Sequence, residues 1–297
     1  MPEKERDKAN GMFGMVMGLS FSITSVASGL VLGFFGMTTV MVVAIIGTIL
    51  AIPLLASIPI PEKKIIHTEG APKKVDIKGT IKVIRSIPGL FALIFFTTFN
   101  NFLGGAFMAL MDAYGLSLVS VQVWGLLWGV LSFGFIFGGM YISKKGLGNH
   151  PLRNLFRINI ITWTVCIFFT IQPSIILLAI GMLVWMSLMP FVEATEQTIM
   201  QKVVPQDRLG RVFGFAHSVE QSASPLTAFM IGPIAQFIFI PFMTTGKGVE
   251  LIGDWYGVGM GRGIGLVFTA AGMVGLLVTL IAMRSHSYKL LAKKYKE

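Results

Sequence analysis

Cys166 is the single cysteine among 297 residues, so neither a disulfide framework nor a cysteine-rich metal site is available. Charged side chains make up only 13% of the chain, too little polar surface to cover one soluble core of this size. No Gly-x-x-x-x-Gly-Lys-Ser/Thr loop occurs, and no polar stretch is long enough for a nucleotide-hydrolysing domain. Catalytic constellations are missing too. An enzyme acting within apolar segments needs paired acids or histidines at metal-ligand spacing, and Glu193 and Glu196, one helical turn apart, lack a matching histidine pair. Neither enzymatic activity nor a metal or other cofactor is expected. Met1 to Asn10 are densely charged and lead into no short apolar region with a cleavage site, which argues against a removable signal peptide.

What the chain has is apolar length. Apolar side chains make up 54% of it and the mean hydropathy is +0.76. They fall into blocks of about 20 residues, the length that crosses about 30 Å of hydrocarbon. The blocks predict an all-α, polytopic membrane protein with eight spans at about 11–35, 38–58, 89–112, 119–143, 154–171, 174–198, 212–240 and 262–283. The formal charge is +10. Assigning the loops alternately puts 22 of the 24 Lys and Arg residues on one side, leaving Lys247 and Arg262 on the other. Basic residues collect on the cytoplasmic face, so both termini are expected in the cytoplasm, with the lipid bilayer rather than nucleic acid as the partner.

The stretch 59–88, with its prolines and lysines, reads as a solvated cytoplasmic linker. The glycine-rich outer loop 241–261 carries Trp255 and Tyr256, residues suited to the membrane interface. An internal repeat is visible at an offset of 203: Pro2 falls on Pro205, Gly11 on Gly214, Thr24 on Thr227, Gly29 on Gly232, Phe34 on Phe237, and Lys8 on Arg211. Both copies leave a charged loop after a proline and enter the membrane in the same direction. Parallel repeats of this kind relate the two halves of facilitator-type carriers.

The segment Glu196–Gly214, reading EQTIMQKVVPQDRLGRVFG, resembles the loop between helices ten and eleven in the drug:proton antiporter-3 branch of the major facilitator superfamily, which includes macrolide-efflux and enterobactin-export proteins. Pro2 to Gly11 resembles that branch's entry to helix five. The resemblance implies helices five to twelve, about two thirds of a family member, with the first four helices missing and supplied in cis or in trans. It divides the chain into the last two helices of an N-terminal bundle (1–58), the linker (59–88), a complete six-helix C-terminal bundle (89–284) and a basic cytoplasmic tail (285–297). Gly139, Lys144 and Gly146 match the second-half copy of the superfamily's cytoplasmic gating motif, with Ser143 where the motif has an acid. The implied function is secondary active transport at the cell membrane: proton-coupled efflux of drug-like or amphipathic small molecules. The alternatives are a siderophore-like cargo and a truncated remnant that does not transport.

An ionisable group inside a span costs roughly 2.5 to 3.5 kcal/mol on insertion scales, so each needs a reason. Glu220 follows Arg211 by nine residues, about 13 Å of helix, which places it near the midplane. His217, Glu220, Gln221, Ser224 and Thr227 recur at three- and four-residue steps and form a polar stripe, read either as the proton and substrate path or as a network that orders the bundle. Asn100 and Asn101, mid-span, are candidates for substrate contact or interhelical bonding. Asp112, at the outer end of that span, is expected to reach water. Glu193 and Glu196, with Lys202, Arg208 and Arg211 close in sequence, are expected at a cytoplasmic gate.

Overall fold

The computed structural model describes residues 3–58, 76–148 and 150–296. It is helical throughout, as a chain in hydrocarbon must be, because a helix pairs its backbone polar groups within one segment. The elements are α1 (Glu3–Ala56), α2 (Ile77–Ser86), α3 (Leu90–Leu116), α4 (Val121–Leu131), α5 (Phe133–Lys145), α6 (Pro151–Phe168), α7 (Ile175–Val203), α8 (Leu209–Ile234), a π-helical turn (Ala235–Phe239), α9 (Ile240–Thr244), α10 (Lys247–Tyr256), α11 (Met260–Arg284) and α12 (His286–Lys296).

Six helical stretches among the described residues are long and apolar enough to cross a membrane: Lys8–Ala56, Leu90–Leu116, Val121–Lys145, Ile175–Val203, Leu209–Thr244 and Met260–Arg284. The first holds both of the first two expected spans. They abut at Gly36, whose φ of 78° and ψ of 172° break the helix, in a region open to glycine because it lacks a Cβ. The expected span 154–171 forms α6, which is less apolar than the six because it contains Arg153, Asn154, Arg157 and Asn159. The span at 119–143 divides at Ser132 into α4 and α5. Near the end of the 212–240 span the helix widens into the π turn just before Pro241. Proline has no N–H to give residue 237 and its ring crowds that carbonyl, so a wider turn relieves the clash.

Three stretches expected outside the membrane-crossing helices contain helices of their own. In the linker, Asp76 caps α2 by accepting from the Gly79 N–H at 2.8 Å, and α2 turns Thr80 and Ile84 inward. The outer loop 241–261 forms α9 and α10. Within it Trp255 is exposed as expected, whereas Tyr256 is buried. The basic tail forms α12, which seats Leu291 in the core at 2% exposure. Short amphipathic segments fold when a packed surface is available for their apolar face.

The helices enclose two apolar clusters. One holds Phe107, Tyr114, Trp163, Phe169 and Phe268, with Phe107 and Phe268 stacked at 4.8 Å between centroids. The other joins Ile84 of α2, Phe156 of α6, Ile199 and Met200 of α7, Val212 of α8 and Leu291 of α12. Around the second cluster gather the basic segments: α2, the start of α6, the end of α7, the start of α8, and α12. The start of α1 joins that end, because Asn10 donates to the Thr198 hydroxyl at 2.9 Å.

The first half of α1 packs along α4 and α5 through glycine. A Cβ on Gly29 would stand 2.9 Å from the Gly125 Cα, and one on Gly11 would stand 2.7 Å from the Gly139 carbonyl. Backbones this close are what small residues allow between membrane helices. The second half, from Met37 to Ala56, is almost wholly exposed.

Candidate functional site

Glu220 lies on the face of α8 that packs against α3, and it is 2% exposed. The same face carries Ala216, Ala223 and Thr227, all buried. At about 100° per residue, His217 and Gln221 stand roughly 60° and 100° from Glu220, on the side away from Ala216 and Ala223. The expected stripe therefore splits. Glu220, Ser224 and Thr227 turn into the bundle, whereas Gln221 is exposed and the His217 side chain is 47% exposed. His217 Nδ1 remains 3.7 Å from Glu220 Oε2.

Ser224 donates to the Asn101 carbonyl at 2.9 Å, and Thr227 donates to Ala223 O at 3.1 Å. Gly105 lets the helices meet there, since a Cβ on it would strike the Ser224 carbonyl. Asn100 bridges helices: its Nδ2 donates to Phe96 O at 2.8 Å and its Oδ1 accepts from Trp163 Nε1 at 2.8 Å. Both ends of that amide bond within the bundle, which favours the ordering role among the two weighed. Asp112 is exposed as expected, but it also accepts from Trp124 Nε1 at 2.8 Å.

Glu196 departs from the gate expected for it. It is 7% exposed, and its carboxyl faces Glu220 and the Thr97 hydroxyl, with Glu193 nearby. On α7 it stands between Met186 of one apolar cluster and Ile199 of the other; on α8, Glu220 stands between Ala216 and Ile231 in the same way. The two carboxyls thus meet in a polar layer between the clusters. One oxygen of each, Oε1, is buried with no hydrogen-bond partner. Sequence spacing within α7 put Glu196 beside Glu193; facing of α7 and α8 put it beside Glu220.

Of the other gate candidates, Arg208, Arg211, Lys144, Gly139 and Gly146 stay toward the basic end, whereas Glu193, one turn further from that end of α7 than Glu196, is half-buried near the acid pair. Arg208 contacts Asp207 at 3.3 Å, Lys202 lies over the Tyr295 ring at 4.5 Å, and Arg211 is exposed. Gly139 is buried against Gly11 and Met15 of α1, Lys144 is exposed, and Gly146 closes α5 with φ 72° while its N–H reaches Ile142 O at 2.7 Å. The motif-like loop thus lies where α1 meets α5.

Arg262 is the functional-looking residue the sequence reading missed. Counted with the outer-side basic residues at the edge of the expected span 262–283, it is 4% exposed inside the start of α11. Its Nε donates to Tyr256 O at 2.5 Å, Nη1 to the Tyr114 hydroxyl at 3.2 Å and Nη2 to Ile171 O at 2.8 Å, and the guanidinium lies 4.1 Å from the Tyr256 ring centre. The available signal was its place among glycines, Gly261 and Gly263, which let a neighbouring backbone approach: a Cβ on Gly263 would strike Ile240.

Comparison with known proteins adds the family. No curated protein matches the chain. Among solved structures, a bacterial homologue of the human lysosomal transporter Spinster, in an inward-facing and unoccupied conformation, is similar at 15% identity and a TM-score of 0.49, over 97% of this chain and 68% of that one. Residues 1–228 match the family model of the Major Facilitator Superfamily. With the match spanning well over half of its length, this multi-pass membrane protein belongs to the Major Facilitator Superfamily.

Proposed function

We propose that the chain is the greater part of a proton-coupled exporter of drug-like or amphipathic small molecules in the cell membrane, of the drug:proton antiporter-3 type, with both termini cytoplasmic. The observation that carries this reading is Glu220: a carboxyl 2% exposed inside a membrane-crossing helix, with Oε1 lacking a hydrogen-bond partner. A buried carboxyl that only ordered the bundle would have its oxygens bonded, because an unmet polar group in an apolar setting is costly. A proton is the smallest ligand that meets the need. Gly139, Lys144 and Gly146 at the α1–α5 contact, together with Arg208 and Arg211, form the cytoplasmic gate in this reading.

Transport in this reading also needs four further helices, encoded with the chain or supplied by a partner. Its support is the face of α1 that carries Ser20, Thr24 and Ser28 at four-residue steps, all exposed. Small polar faces of membrane helices are normally packed. The test expresses the chain alone and with the upstream helices fused before Met1, and measures efflux from energised cells. Glu220→Gln should abolish gradient-driven efflux in the active form while leaving expression and cargo binding intact. Undiminished proton-coupled efflux by that variant refutes the reading, robust efflux by the unfused chain refutes the need for further helices, and no efflux from either form favours a remnant.

A further inference from the structure

We propose that Glu196 and Glu220 form a single proton-binding site, in which one carboxyl donates its O–H to a carboxylate oxygen of the other. The two side chains come from different helices, are 7% and 2% exposed, and each has a buried Oε1 without a partner. Their carboxyls face one another, and the nearby hydroxyl is Thr97. Two ionised acids facing each other in an apolar layer repel with little screening, and each has lost its water. A proton held between them answers both problems at once: it removes one charge and gives an orphaned oxygen its partner.

Glu193 on α7 and His217 on α8 are titratable groups near the pair, and α3 brings the Thr97 hydroxyl to it. Among the described side chains, the basic ones on other elements packed against α7 or α8 are exposed: Lys8 of α1, Lys78, Lys82 and Arg85 of α2, Lys144 and Lys145 of α5, Arg153 and Arg157 of α6, and Lys289, Lys293 and Lys294 of α12. His217, half-exposed and 3.7 Å from Glu220 Oε2, is the group through which the pair meets water. A proton leaving the pair passes by that imidazole to water and leaves two carboxylates behind; rebinding reverses the step. That this proton is the one used in transport rests on the function proposed above, whereas the shared proton itself does not.

The two claims are tested separately. The purified chain in lipid nanodiscs at neutral pH should show the broad infrared continuum of a proton shared between two carboxyl groups. Glu196→Gln and Glu220→Gln should each abolish it, and Glu193→Gln should retain it. Absence of the continuum from the unmodified chain, or its survival in either Glu196→Gln or Glu220→Gln, overturns the proposal. Glu196→Asp keeps an acid in place and should retain the continuum, which guards against loss through misfolding. In the efflux-competent form, both single glutamine variants should lose proton-driven efflux yet keep cargo counterflow, and the double variant should be no worse than either, as for residues that act as one unit. Loss in Glu220→Gln with normal efflux in Glu196→Gln sinks the pair's part in transport but spares the function; normal efflux in both sinks the function.

Discussion

Arg262 and Tyr114 meet inside the bundle, the guanidinium Nη1 donating to the phenol oxygen at 3.2 Å across 148 residues of sequence. Through Tyr256 O and Ile171 O the same side chain also ties α10 and the α6–α7 turn to the start of α11. An arginine cannot shed its charge, so its burial depends on the fixed fork of donors finding dipoles in several directions. Arg262→Lys keeps the charge but not the fork, and both it and Arg262→Ala should lower thermal stability in detergent by about 1–3 kcal/mol, the penalty for unpaired buried groups. Tyr114→Phe removes one acceptor and should cost less, about 0.5–1.5 kcal/mol. Equal melting curves for all three variants and the parent would refute the clamp.

Gly29 and Gly125 hold α1 against α4. Because an added Cβ on Gly125 would lie 2.7 Å from the Gly29 Cα, Gly125→Leu forces the helices apart and should destabilise the protein by about 1–3 kcal/mol, the range for overpacking. Gly47→Leu is the control, for nothing lies within 4 Å of the Cβ it would gain. Detergent melting and yield of folded protein should separate the two variants.

Asn100 and Trp163 share a buried bond between α3 and α6. Asn100→Ala leaves the indole N–H without its acceptor and should cost about 1–3 kcal/mol. Cargo affinity, measured on the folded fraction, should be unchanged. A large affinity loss at unaltered stability would return Asn100 to the substrate path.

The proposed orientation, drawn from the basic residues, is checked by labelling. With Cys166 replaced by serine, single cysteines at His67, Asn149 and Gln206 should be shielded from an impermeant thiol reagent in intact cells, and one at Gly246 should react. His67 and Asn149 lie outside the described residues; Gln206 is exposed at the basic end. External labelling of the first three would invert the assignment.

The helices were legible in the sequence because hydrocarbon leaves the backbone little choice, so runs of about 20 apolar residues declare themselves. Glu220 was legible by depth. The sequence alone did not place α2 and α12 as packed helices, because their lengths of 10 and 11 residues are too short to declare themselves without the cluster that receives Ile84 and Leu291.

What the sequence determined by itself, then, is the long apolar helices, the collection of basic residues at one end and the presence of acids where acids are costly. Those are properties of single segments, fixed by hydropathy, periodicity and charge along the chain. Only the tertiary structure decided that Glu196 faces Glu220 rather than the basic loop, that His217 and Gln221 fall off the buried stripe, and that Arg262 lies inside the bundle. Each of these depends on how one helix is rotated against another. A turn of 100° per residue exchanges a buried partner for an exposed one, and that angle is set by packing between segments far apart in sequence.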